Sequence, residues 1–159
     1  MASPLIAAPP APQSPVRSVV RSDGWWPDID CNAMRDALRL GDVVTHARLV
    51  SEVEAALVAV DGELAAWRAL REAEGFAALA DIEPARTVGD QTRLELLFTR
   101  AVRFTAAAAL AELYRDADAT TEALDRADAE IQTAADYRRQ ATWAIRDILG
   151  VTRTAVELL

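Results

Sequence analysis

Apolar residues recur every three or four positions over most of the chain, which is the spacing of one face of an α-helix. The clearest case begins after Thr45, a suitable N-cap, and ends at Glu74, just before Gly75. Its apolar stripe consists of Leu49, Val53, Leu57, Val60, Leu64, Trp67 and Leu70. The pattern predicts a helix of about 45 Å, with Gly62 as a weak point inside it.

Two further segments carry both helical spacing and end signals. Residues 31 to about 40 follow Asp30, a good N-cap, and stop at Gly41, so they predict a short helix. Residues 91 to about 115 follow Asp90, which we expect to cap a third helix. Because apolar or small residues surround nearly its whole circumference, this helix is predicted to lie centrally, with neighbours on more than one side.

A last helix is predicted to start at Thr120 or Thr121 and to end at Gly150. Residues 76–89 contain a proline and end in a glycine, which favours an ordered connecting loop. The fold class is therefore all-α, with four helices, one short and three long.

The two ends of the chain differ from this helical part. Residues 1–22 are rich in proline and alanine without periodicity, which predicts a flexible N-terminal arm. Residues 23–159 are predicted to form a single helical domain. Its ending, residues 151–159, contains Val156 and Leu158 and is expected to form a short extended tail that can add to a neighbour.

Composition narrows the classes of function. The net charge is −8 and the pI is about 4.7. Because binding to nucleic acid requires clustered cations, this acidic composition argues against a nucleic-acid-binding protein. Cys31 is the sole cysteine, so no internal disulfide forms and a reducing compartment is expected. The longest apolar run, residues 104–111, is too short for a membrane span. We expect a protein made in the cytoplasm, with no membrane partner.

Candidate chemistry is sparse. His46 is the sole histidine, and no serine or cysteine nucleophile is suggested near it. A di-iron site in a helical bundle needs two histidines as well as several glutamates. No phosphate-binding loop, dinucleotide-binding turn, nucleophile elbow or CxxC pair occurs. We therefore predict that the chain is not an enzyme and holds no cofactor or metal.

An aromatic cluster precedes the first helix, where little chain on the N-terminal side is available to bury it. Exposed aromatic residues often anchor protein contacts. The residues predicted to contact a partner are Trp25, Trp26, Pro27, Ile29, Val156 and Leu158. Trp67, Trp143 and Phe104 lie at helical spacing within apolar stripes and are predicted to be core residues.

Several short motifs occur in a recognisable order. They are WWPDID at 25–30, MRDALRL at 34–40, ELAAWR at 63–68, ELYRDADAT at 112–120, RRQATWAIRDILG at 138–150 and VEL at 156–158. Together they resemble the GpL head completion family of tailed phages, over about residues 25–159.

The resemblance implies a connector-type helical fold and a place in the head–tail neck of the virion. It implies a homo-oligomeric ring, dodecameric in the family, that forms below the portal protein after DNA packaging. Such a ring stabilises the filled head and carries neck or tail-completion proteins, while double-stranded DNA passes its lumen without specific binding. The alternative is a cytoplasmic helical adaptor or regulator that binds one partner protein. A ring would favour the connector, and a stable monomer or dimer the adaptor.

Overall fold

The computed structural model describes residues 14–41, 44–118 and 133–151 of the chain. Those ranges contain four α-helices, two short antiparallel strand pairs and one 3₁₀ turn. In chain order these are β1 Val19–Val20, β2 Ile29–Asp30, α1 Cys31–Leu38, α2 His46–Ala73, the 3₁₀ turn Leu79–Asp81, β3 Thr87–Val88, β4 Gln91–Thr92, α3 Arg93–Asp118 and α4 Ala134–Leu149. The predicted all-α class is confirmed.

The longest helix, α2, has the predicted ends. Thr45 is extended and its Oγ1 accepts a hydrogen bond from the Arg48 amide at 3.3 Å. Glu74 is the C-cap, and Gly75 follows with φ of +97°. The helix has 28 residues and is therefore about 42 Å long. Its buried face consists of Leu49, Val53, Ala56, Val60 and Leu64.

Helix α1 begins as predicted and ends earlier than predicted. Oδ1 of Asp30 accepts from the amides of Asn32 at 2.7 Å and Ala33 at 3.0 Å, as an N-cap does. Arg39 then adopts a left-handed conformation with φ of +51°. This turn ends the helix at Leu38, before the glycine that was expected to end it.

The predicted cap of α3 is wrong because a hairpin occupies its position. Val88 pairs with Gln91, and Gly89, with φ of +61°, lies with Asp90 in the two-residue turn between them. The helix therefore begins only at Arg93. Oγ1 of Thr92 accepts from the Glu95 amide at 3.3 Å, while Glu95 Oε2 accepts from the Thr92 amide at 2.8 Å. This reciprocal pair is a capping box.

Helix α4 begins at Ala134, because Thr133 is extended and forms a capping box with Asp136. The start expected at residues 120–121 lies outside the described residues. Gly150, with φ of +71°, ends the helix as predicted. Helix α4 packs mainly along α3, which also packs on α2. The predicted central place of α3 is therefore confirmed.

Residues 14–22 are packed onto the helices. In β1, Val19 pairs with Asp30 and Val20 with Ile29. The side chain of Ser14 is buried. The packed unit therefore starts before residue 23, inside the segment assigned to the arm. Residues 1–13 and the predicted tail at 152–159 lie outside the described ranges.

The core lies between α2, α3, α4 and the segment before α1. Phe98 of α3 is fully buried in it, and Trp67 packs against its edge. Phe104 lies six residues further along α3, about 120° around the helix. It is half-buried and stacks on Tyr137 of α4 at 6.0 Å. Trp143 is 37% exposed. The core assignments of Phe104 and Trp143 are therefore wrong, because neither side chain belongs to the buried cluster between the helices.

Candidate functional site

The paired tryptophans join the segment before α1 to two helices. Their ring centroids are 4.4 Å apart with the planes at 80°. Trp26 stacks on Phe98 of α3 at 4.3 Å, and Trp25 meets Trp67 of α2 edge-on at 6.1 Å. Gly24, with φ of +89°, forms the turn that brings both rings inward. The cluster thus fixes the segment before α1 against α2 and α3.

An ion-pair network centred on Arg68 of α2 covers this cluster. Nη1 of Arg68 lies 2.6 Å from Asp23 Oδ2 and 3.2 Å from Asp61 Oδ1, and its Nε donates to Glu72 Oε1 at 2.8 Å. Its guanidinium carbon lies 5.7 Å from the Trp26 ring centroid. The Trp26 indole Nε1 donates to Asp61 Oδ1 at 2.6 Å. The tryptophan therefore has a polar partner as well as an apolar one.

The network shifts the titration of both ion-pair partners. Burial by itself raises the pKa of Asp23. The hydrogen bonds from Arg68 and from the amides of Trp25 and Trp26 outweigh burial and place this pKa below its ordinary value. Burial by itself lowers the pKa of Arg68, but its bonds to Glu72 and Asp23 raise it overall. Both groups are therefore charged at neutral pH.

A groove of about 700 Å³ runs between residues 18–23 and the first half of α2. We call it the β1 groove. Val19 is 43% exposed and Val58 is 75% exposed beside it. Further apolar lining comes from Val20, Trp26, Val50 and Leu57, and polar lining from Arg21, Asp23, His46, Glu54 and Asp61. The groove is therefore open and lined by both apolar and polar side chains, which suits contact with another protein.

The structure gathers three of the predicted interface residues inside the subunit. Trp25, Trp26 and Ile29 are only 5%, 4% and 2% exposed, and Pro27 is half-buried. The sequence pattern suggested that little chain is available to bury these side chains. In the structure, residues 14–22 and the loop before Leu79 help to cover them. The Leu79 amide, for example, donates to the Trp25 carbonyl at 3.0 Å. The interface role of these residues stays a prediction, and Val156 and Leu158 lie outside the described residues.

Val58 is the surface residue that sequence analysis missed. It lies next to the stripe residue Leu57 and does not share the stripe's spacing. Its position on the polar side of an amphipathic helix could have identified it as an exposed apolar residue.

The His46 side chain contacts two serines of the N-terminal segment. Its Nδ1 lies 3.1 Å from Ser14 Oγ, and its Nε2 lies 3.5 Å from Ser18 Oγ. These contacts tie the N-terminal segment to the first turn of α2. Within residues 14–41, 44–118 and 133–151, no group of three or more His, Cys, Asp or Glu side chains is placed to hold a metal ion. In the same ranges no helix is long and apolar enough to cross a membrane.

The described residues form a mostly helical protein with an open groove beside its longest helix. The model of the phage head completion protein (GPL) family matches residues 20–159. The chain is 31% identical over 152 residues to the head completion/stabilization protein of Escherichia phage P2, an alignment that covers 96% of this chain and 88% of that protein. No solved structure matches this chain.

The chain belongs to the phage head completion protein (GPL) family. The resemblance that the motifs indicated is confirmed. The chain therefore has a structural role in head completion and is a component of the phage virion.

Proposed function

We propose that this chain completes the phage head by forming a homo-oligomeric ring below the portal after DNA packaging. The ring stabilises the filled head and provides a platform for neck and tail proteins. The observation that carries the proposal is the similarity to the P2 head completion/stabilization protein, which extends over 96% of the chain.

The subunit has features that suit a part acting by contact alone. The Arg68 network and the tryptophan cluster tie three segments into one unit, so little ordering is needed when neighbours bind. Large apolar side chains remain exposed at separate places: Val58 beside the β1 groove, Leu70 near the end of α2 and Val88 on the β3–β4 hairpin. A ring subunit needs separate surfaces for its neighbours and for the proteins above and below it.

The charge of the chain suits a duct for DNA. With a net charge of −8, a ring of such subunits repels phosphate. At physiological salt this repulsion extends over a Debye length of about 8 Å. Double-stranded DNA therefore passes the lumen without being held there.

Electron microscopy of the purified full-length chain, alone and with purified portal protein, tests the ring. We expect rings that dock at the tail-facing end of the portal. A stable monomer or dimer that never binds the portal would instead support the cytoplasmic adaptor.

An amber mutant of the phage tests the function in the particle. Because a passive ring acts after packaging, we expect heads that fill with DNA but lose it or fail to join tails. The measurements are nuclease-protected DNA and micrographs of the particles. Heads that never fill would move the protein into the packaging machinery, and normal infectious virions would remove it from the essential neck.

A further inference from the structure

Arg103 of α3 is a half-buried arginine whose side chain makes no hydrogen bond or ion pair with any residue that the structure describes. Its Nε is buried without a partner, and so is Oγ1 of Thr99, one turn earlier. Burial lowers the pKa of Arg103, and the positive charge of Arg100 lowers it further. Buried polar groups nearly always have partners, and a desolvated charge without one is costly.

Thr99 and Arg103 line a cavity of about 150 Å³ at the end of β2 and the start of α1. We call it the β2 cavity. Its lining also includes the apolar side chains of Ile29 and Met34 and the polar side chain of Gln91. A single water occupies about 30 Å³ in the liquid, so the cavity has room for a carboxylate group.

The carboxylates that the structure describes at this cavity already have other partners. Asp30 caps α1 through the amides of Asn32 and Ala33. Oδ1 of Asp28 accepts from the Ser22 amide at 3.0 Å. Both aspartates line the β2 cavity, and neither forms an ion pair with Arg103. Among the described residues the Arg103 guanidinium therefore has no carboxylate partner, and a second subunit can supply one.

We propose that the β2 cavity receives the Glu54 carboxylate of a second copy of this chain, so that each subunit builds only part of the site. Arginine presents a planar set of donors that matches a carboxylate. Asp28 and Asp30 at the cavity repel any incoming anion, and this repulsion is larger for the polyanionic phosphates of duplex DNA than for a single carboxylate.

Several observations favour Glu54 as the donor. Three glutamates of α2, Glu52, Glu54 and Glu63, have no ion pair within the described ranges. Only Glu54 lies one helical turn from Val58, whose side chain is 75% exposed. Leu96, on the same face of α3 as Arg103, is 37% exposed. In such a contact, Glu54 of one subunit pairs with Arg103 of the next. The exposed Val58 beside Glu54 and the exposed Leu96 beside Arg103 add an apolar contact.

The two surfaces make the contact directional. Glu54 lies in the β1 groove and Arg103 in the β2 cavity, which are different parts of the subunit. A contact between two different patches is heterologous and repeats head to tail, which produces a ring when the rotation closes. This inference rests on the proposed function in taking the second copy to be a ring neighbour.

The test compares full-length variants by sedimentation velocity over a range of concentrations. We expect Arg103→Met and Glu54→Gln each to weaken self-association by about tenfold or more, as loss of one member of a buried ion pair does. Glu63→Gln is the matched control, since Glu63 lies on the opposite face of α2, and it should associate like the wild type. The double variant Arg103→Glu with Glu54→Arg should restore association.

Thermal unfolding at low concentration separates this role from a loss of folding. Because Arg103→Met removes a charge that has no partner among the subunit's described residues, its Tm should equal or exceed that of the wild type. A Tm well below the wild type would mean that Arg103 supports the subunit's own fold, which would overturn the inference.

The remaining outcomes are distinct. Wild-type association by Arg103→Met, or failure of the charge exchange to restore association, would overturn the inference and leave portal-bound rings unaffected. Binding of duplex DNA that Arg103→Met abolishes would assign the cavity to phosphate and overturn it as well. Conversely, association that depends on Arg103 and Glu54, with no ring on the portal, would support the inference while the proposed function fails.

Discussion

Replacing Phe98 with alanine tests how the core is organised. The side chain is fully buried and stacks on Trp26 at 4.3 Å. Emptying a buried phenylalanine site costs about 3 to 5 kcal/mol, and that figure includes the lost stacking. In a chain of this length, each kcal/mol lowers Tm by about 2 to 4 °C. We therefore expect a fall of roughly 6 to 20 °C.

Phe104→Ala is the matched control on the same helix. Phe104 is only half-buried and stacks on Tyr137 at 6.0 Å, so we expect a loss of about 1 to 2 kcal/mol. Urea unfolding, followed by far-UV circular dichroism and tryptophan fluorescence, measures both free energies. A loss below about 1 kcal/mol for Phe98→Ala, or an equal loss for both variants, would refute the placement of the core around Trp26 and Phe98.

Three further predictions concern the same subunit. Trp26→Phe keeps an aromatic ring but removes the donor to Asp61, so urea unfolding should show a loss of about 1.5 to 3 kcal/mol, the range for a hydrogen bond to a charged group; no loss would make that bond unimportant. Gly62→Ala should raise stability by about 0.5 to 1 kcal/mol, because the new methyl group meets no atom within 4 Å in the middle of α2; a decrease would show that the helix is strained there. The pKa of Asp23 is lowered from 3.8 in the folded chain, so its pairing with Arg68 stabilises the fold above that pH and is lost as the pH falls through the lower folded value. Asp23→Asn should therefore flatten the acid side of the stability–pH curve, and an unchanged curve would contradict the pairing.

Features whose signals are local could be predicted from the amino-acid sequence. Thr45, Gly75 and the apolar stripe between them predict α2 with its correct ends, because capping and helical periodicity act within a few residues of each position. Asp30 predicts the start of α1 and Gly150 the end of α4 for the same reason. The order of the short motifs also indicates the family without any knowledge of tertiary contacts.

Features that depend on distant partners could not be predicted in this way, because they arise from contacts between segments far apart in the chain. Asp90 is a reasonable helix cap in sequence, but strand pairing of Val88 with Gln91 moves the helix start. Trp26 is buried because Phe98 of α3 stacks on its ring, and Asp61, 35 positions away, accepts its indole hydrogen. The lack of a partner for Arg103 among the described residues likewise depends on segments that are distant in sequence. Periodicity indicates which side of a helix is apolar, whereas long-range contacts decide what that side meets and which polar groups are left for a neighbour.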